Sequence, residues 1–196
     1  MAKRIVATVM LSNDSEMITE NKQVILIGMM GCGKSTVGRA LAEELKRCFY
    51  DTDTLIIEAT GMTIADYIGK YGEVDFRHRE REVLQQALAQ EAPQVLATGG
   101  GVVLAADNRR DLRAAGLVLY LQVGVARLHE RVEATLAERP LLAGVEGECL
   151  KNRISDLLAA REQYYRQTAH EVIEECATVA ETVRAIVAVL NRHSHR

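Results

Sequence analysis

From Gln23 onward the chain alternates short apolar runs with longer stretches in which apolar residues recur every three to four positions. Runs of the first kind predict five strands, at Val24–Ile27, Cys48–Tyr50, Val95–Ala97, Leu117–Gln122 and Glu171–Ile173. The first, third and fourth are almost continuously apolar, as expected of a parallel sheet covered by helices on both faces. Val37, Leu41 and Leu45 share one helical face after the first strand, and Val83, Leu84, Ala87 and Leu88 share one before the third. Val183, Ile186, Val187 and Leu190 give the last helix its buried stripe. Thr63 with Asp66, and Thr178 with Glu181, have the spacing of capping boxes that open helices. Alternation of strand and helix predicts a three-layer α/β/α fold around a central five-stranded parallel sheet.

No internal repeat, low-complexity tract or Pro-rich linker interrupts this pattern, and Pro93 and Pro140 are the only prolines. One domain over 23–196 is therefore expected, preceded by a polar extension over 1–22 that lies outside the fold and is disordered. Lys3 and Arg4 ahead of the apolar run Ile5–Leu11 imitate a secretory signal, but Asp14 and Glu16 follow and no small-x-small cleavage site appears. Met17 is an alternative start. No stretch approaches the ~20 apolar residues of a membrane span.

Composition narrows the class. With 48% hydrophobic and 26% charged residues the chain is of ordinary globular type, and a formal net charge of -3 disfavours a nucleic-acid binder, whose affinity for phosphate backbones needs a basic surface. Cys32, Cys48, Cys149 and Cys176 are scattered without zinc-type spacing, which reads as reduced thiols in the cytoplasm.

The strongest local signal is the run Gly28-Met29-Met30-Gly31-Cys32-Gly33-Lys34-Ser35-Thr36, a GxxxxGKS loop between an apolar strand and an amphipathic helix. Glycines there let successive backbone N–H groups converge on phosphate oxygens at the positive end of the helix. Lys34 is expected at the β- and γ-phosphates and the Ser35 hydroxyl on Mg²⁺. For Cys32 any small side chain suffices. A phosphate loop alone leaves switches, ATPases and kinases open, although the guanine-reading NKxD motif is absent. Asp51 and Asp53 follow the second strand at its C-terminal end, where open parallel sheets bind ligands; capping the next helix is the alternative role. Gly99-Gly100-Gly101 at the same end of the third strand implies close backbone approach to a ligand, or else a flexible connector.

Taken together, the loop at 28–36, Asp51-Thr52-Asp53, Gly-Glu-x-x-Phe-Arg-x-x-Glu from Gly72 to Glu80, the triple glycine, Arg139-Pro140-Leu141-Leu142 and Arg161-x-x-x-Tyr165 resemble the shikimate kinases, small P-loop kinases of the nucleoside-monophosphate-kinase type. The resemblance runs from about Val24 to Arg166. It implies phosphorylation of the shikimate 3-hydroxyl by ATP, with Mg²⁺ as cofactor, in aromatic amino-acid biosynthesis. It also implies a monomer without nucleic-acid or membrane partners. By the same resemblance Asp53, Arg77, Gly99, Gly100, Gly101 and Arg161 bind shikimate, and Gly31, Cys32, Gly33, Lys34, Ser35, Thr36, Arg131 and Arg139 bind ATP. Ser35, and Asp51 through water, hold the metal, while Lys34, Asp53 and Arg139 carry the chemistry, with Asp53 as base. Leu136–Gly147, which contains Pro140 and Gly144, is expected to be a mobile lid carrying Arg139; an ordinary surface loop is the other reading. From spacing alone Arg77 and Glu80 would be a solvated ion pair within a charged run. Two features depart from the family. The basic residue expected seven positions before the lid arginine is replaced by Val132, with Arg131 beside it, and the stretch Glu171–Thr182 lacks the family's usual Thr/Arg pattern beside the adenine. Competing functions are a gluconate or nucleoside-monophosphate kinase, and a nucleotide-dependent regulatory module.

Overall fold

Every predicted strand is present, each one residue longer than the apolar pattern alone indicates: β1 Gln23–Ile27, β2 Cys48–Asp51, β3 Gln94–Ala97, β4 Gly116–Gln122 and β5 Glu171–Glu174. The computed structural model describes residues 23–134 and 147–194. The expectations for the extension over 1–22, for Arg139 and for the lid up to residue 146 lie outside these residues.

The strands form one all-parallel sheet in the order β2-β3-β1-β4-β5. All five residues of β1, the central strand, are buried, which requires cover on both faces, and its apolar run Val24–Ile27 supplies that. Edge strand β2 alternates exposed and half-buried residues instead. Among the described residues six α-helices connect the strands and a seventh follows β5: α1 Lys34–Leu45, α2 Thr52–Thr60, α3 Ile64–Leu88, α4 Ala106–Ala115, α5 Val125–Glu133, α6 Gly147–Thr168 and finally α7 Val179–Ser194, with a 3₁₀ turn at Val102–Leu104. α1 packs against α7, while α3 meets α4, α4 meets α6 and α6 meets α5, so the helices form two groups. Most of each predicted stripe is buried, namely Val37 and Leu41 on α1, Val83, Leu84 and Ala87 on α3, and Val183, Ile186 and Leu190 on α7, while Leu45, Leu88 and Val187 are half-buried against the core.

Thr178 and Glu181 close a reciprocal capping box at the start of α7, with N–H to side-chain bonds of 3.0 and 3.2 Å. At α3 the Thr63 hydroxyl accepts from Asp66 N at 3.1 Å, but Asp66 is one carbon shorter than Glu and bonds the hydroxyl at 2.7 Å. α3 runs for 25 residues and bends at Gly72, where φ is 85°. Its two halves and α2 enclose a small apolar cluster of Ile56, Tyr67, Phe76 and Val83, apart from the main core.

Candidate active site

The site lies at the C-terminal edge of the sheet, where β1, β2 and β3 end side by side. After β1 the chain turns through Gly28, Gly31 and Gly33 with φ of 147°, 80° and 94°, conformations that residues with a Cβ rarely adopt. Gly33 caps α1 without any side-chain hydrogen bond, so the first N–H groups of that helix carry no side-chain partner of the capping kind. The Lys34 ammonium folds back over the loop, donating to Gly28 O at 2.9 Å and Met29 O at 3.0 Å, with Cys32 Sγ at 3.5 Å.

The Ser35 hydroxyl, in the first turn of α1, donates to Asp51 Oδ2 at 2.5 Å. Asp51 is the last residue of β2, paired with Ala97, rather than a residue beyond the strand. Its Oδ1 accepts from Asp53 N at 3.0 Å and caps α2, the alternative role weighed from the sequence, while its Oδ2 is the atom turned to Ser35. A hydroxyl and a carboxylate at this spacing are hard oxygen donors suited to Mg²⁺, which binds through one or two such groups together with substrate phosphates.

The triple glycine brings the remaining site residues together. A Cβ on Gly99 would stand 2.8 Å from Asp53 Oδ1 and 2.9 Å from Glu80 Oε1; one on Gly101 would stand 2.5 Å from an Arg77 nitrogen; one on Gly100 would stand 3.2 Å from Met30 N of the phosphate loop. A side chain at Gly99 or Gly101 would press on Asp53, Glu80 or Arg77, and one at Gly100 would crowd the phosphate loop, so the turn packs closely against all of them. Arg161 reaches the same turn, with its NH1 3.5 Å from Gly100 O, and is buried at 5% exposure.

Arg77 donates at 2.9 Å to both Glu80 and Glu73. Within the same charged run Arg79–Glu82 is the solvated pair, while the Glu80 side chain is only 3% exposed. Burial pushes the Glu80 carboxyl above the usual glutamate range, opposed by Arg77 and then by Arg161. For Arg77 burial works against the charge, but Glu80 and Glu73 outweigh it and hold its pKa above the ordinary value.

A cleft of about 900 Å³ runs from Asp53 along the phosphate loop to Leu121–Val123 and on to Ile173–Thr182. Arg131 stands on its wall, donating to Glu175 at 3.1 Å and lying 3.4 Å from Gly31 O. Val132 is fully buried, its methyl 2.8 Å from where a Gly31 Cβ would be. The helix therefore presents Arg131, not residue 132, to the cleft. Arg77 and Arg161 are not on the cleft wall and join its Asp53 end through the triple glycine. Two buried hydroxyls escaped the sequence reading: Thr52 accepts from Gly99 N at 2.9 Å, and Tyr165 donates to Gly100 O at 2.5 Å. Both sit inside motifs already picked out, Asp51-Thr52-Asp53 and Arg161-x-x-x-Tyr165, but neither spacing reveals a bond to a loop 47 or 65 residues away.

A phosphate-type loop thus abuts a turn ringed by two arginines and two carboxylates, an arrangement that can hold an anionic, hydroxylated small molecule beside a phosphoryl donor. Among known proteins, a gluconokinase from Sinorhizobium meliloti has a TM-score of 0.56 at 17% identity, over 90% of this chain and 95% of its own, and shares the fold alone. A shikimate kinase from Acinetobacter baumannii, solved in complex with shikimate, has a TM-score of 0.83 at 38% identity, over 91% of this chain and 97% of its own. A shikimate kinase of Symbiobacterium thermophilum is 40% identical over 175 residues, 88% of this chain and 98% of that protein. The shikimate kinase family model matches residues 30–191, a span that takes in the phosphate loop from Met30 on, the triple glycine and Arg161 alike, and the chain belongs to that family.

Proposed function

We propose that this chain transfers the γ-phosphoryl group of ATP to the 3-hydroxyl of shikimate, giving shikimate 3-phosphate and ADP in aromatic amino-acid biosynthesis. The observation that carries the reading is the triple-glycine turn, which seats Asp53 and Glu80 at Gly99 and Arg77 at Gly101 while its middle residue touches the phosphate loop. Donor and acceptor would meet across that turn.

Nucleotide phosphates lie against the backbone of Gly31–Thr36, and the Lys34 ammonium swings from Gly28 O and Met29 O onto the β- and γ-phosphates. Ser35, and Asp51 through water, would hold Mg²⁺, which would supply neutralisation of the phosphate charge. Arg77 and Arg161 take the shikimate carboxylate. For Arg77 this means releasing Glu73, the exposed member of its two pairs at 54%, and surface pairs of that kind contribute only about 0–1 kcal/mol. Asp53 accepts the proton of the attacking hydroxyl as the O–P bond to the acceptor forms and the bond to ADP breaks. Gly99–Gly101 let the sugar-like ring approach the backbone closely. Arg139 stabilises the transferring group from a lid over 136–147 that excludes water and so disfavours hydrolysis. Arg131 flanks the base end of the cleft.

The protein acts as a monomer in the cytoplasm, a placement supported by four free thiols. No helix among the described residues is long and apolar enough to cross a membrane. Coupled ADP release measured with shikimate, quinate, gluconate, AMP and CMP tests the reading. Turnover with shikimate alone, or with quinate far behind, is expected; equal ADP release without acceptor would leave an ATPase.

A further inference from the structure

The triple-glycine turn has no side chains of its own, and glycine backbone has the most conformational freedom to lose. Its geometry must be imposed by neighbours. On the entering side Thr98 is tied to β1, its N and Oγ1 both 3.2 Å from Leu26 O. Thr52, fully buried between Asp51 and Asp53, then accepts the Gly99 N–H at 2.9 Å. Tyr165, fully buried on α6, donates its hydroxyl to Gly100 O at 2.5 Å. The Tyr165 ring is itself fixed: it stacks on Tyr120 with centroids 5.0 Å apart and planes 19° off parallel, and Tyr120 donates to Glu162 at 2.5 Å. Arg161 shares the Gly100 carbonyl with Tyr165 at 3.5 Å.

Any slip of this turn moves the seats of Asp53, Glu80 and Arg77 together, while the phosphate loop keeps its own backbone hydrogen bonds, Cys32 N to Met29 O at 3.2 Å and Val37 N to Gly33 O at 2.8 Å. We propose that Thr52 and Tyr165 are positioning residues, whose buried hydroxyls hold the triple-glycine turn in register and thereby set affinity for the acceptor rather than for the nucleotide. This rests on Asp53, Arg77 and Arg161 forming the acceptor site.

The test is a KM and kcat split. Tyr165→Phe keeps the ring, its stack and its volume and removes only the donor, leaving Gly100 O to Arg161. Thr52→Val removes the acceptor of the Gly99 N–H without changing shape, and Thr52→Ser restores it. Tyr165→Phe and Thr52→Val should each raise the KM for shikimate about tenfold, with the KM for ATP within about twofold and kcat lowered less than about threefold. Thr52→Ser should return the shikimate KM to within about twofold of the parent. A merely structural role would lower thermal stability and the active fraction, scaling kcat and leaving both KM values unchanged. That pattern, or a Thr52→Ser variant as impaired as Thr52→Val, overturns the proposal. Arg161→Ala measured alongside separates the two levels. A raised shikimate KM there with flat Tyr165→Phe and Thr52→Val overturns the positioning role alone, whereas a flat Arg161→Ala overturns the site assignment and this proposal with it.

Discussion

Glu80 accepts a 2.9 Å hydrogen bond from Arg77 one turn earlier on the same helix, with its own side chain only 3% exposed. Burial of that carboxylate raises its pKa, and the pull of Arg77 and Arg161 does not fully offset it. The folded-state value therefore exceeds the unfolded value of about 4.3, so the native state holds the proton more tightly than the unfolded chain. The stability this confers is fully present below the unfolded value and is lost as pH rises through the folded one. Glu80→Gln keeps an acceptor for Arg77 but does not titrate. The melting temperature of the variant minus that of the parent should therefore grow more positive from about pH 4 toward neutrality. A difference that is flat across this range would mean that Glu80 pays no burial cost.

Much of this was legible in the chain because the signals are local. A buried parallel strand needs a continuous apolar run, and β1, β3 and β4 have one; a phosphate loop needs glycines at fixed offsets, and Gly28, Gly31 and Gly33 supply them. What stayed hidden is nonlocal. Nothing in the spacing of Arg77 and Glu80 distinguishes them from Arg79 and Glu82, since both are i, i+3 pairs at 2.9 Å. Only the fold packs Gly99 and Gly101 over the first pair and leaves the second in water. The helix phase that buries Val132 and turns Arg131 to the cleft likewise depends on where Gly31 lies across the site.

Ser35 and Asp51 offer a second test. Ser35→Ala deletes one proposed metal donor while Asp51 still caps α2 through its other oxygen. The Mg²⁺ concentration giving half-maximal rate should rise at least about tenfold, a common scale for altered metal sites, with little change in melting temperature. An unchanged Mg²⁺ titration would reduce the 2.5 Å Ser35–Asp51 bond to a structural contact. Chelation of the metal should abolish turnover in the parent.

Arg139 belongs to the segment proposed as a lid. Replacing it by Ala should lower kcat about 10²–10⁴-fold with little effect on the KM for shikimate, the pattern of a group that acts on charge developing in the transition state. Unchanged turnover would make residues 136–147 an ordinary surface loop.

Asp53 is the sharpest case, because its carboxylate is placed by three elements: the first turn of α2, the Asp51 side chain that accepts its N–H, and Gly99, against which Oδ1 lies. Asp53→Asn preserves the shape and removes the charge. If Asp53 takes the acceptor proton, kcat should fall roughly 10²–10⁴-fold, the usual range for a positioned acid–base group, while ATP affinity by calorimetry stays close to that of the parent. The KM for shikimate should rise as well, since an amide replaces only part of the carboxylate's accepting capacity. The rival account is orientation alone: in a loose transition state the hydroxyl keeps its proton until late, and a carboxylate then serves to aim the oxygen. The pH dependence of kcat separates the two. A base must be ionised to act, so the parent should lose activity toward acid pH and the Asn variant should lack that limb. A variant that keeps the parent's acid limb and falls by less than about tenfold would make Asp53 a positioning residue and move the base elsewhere.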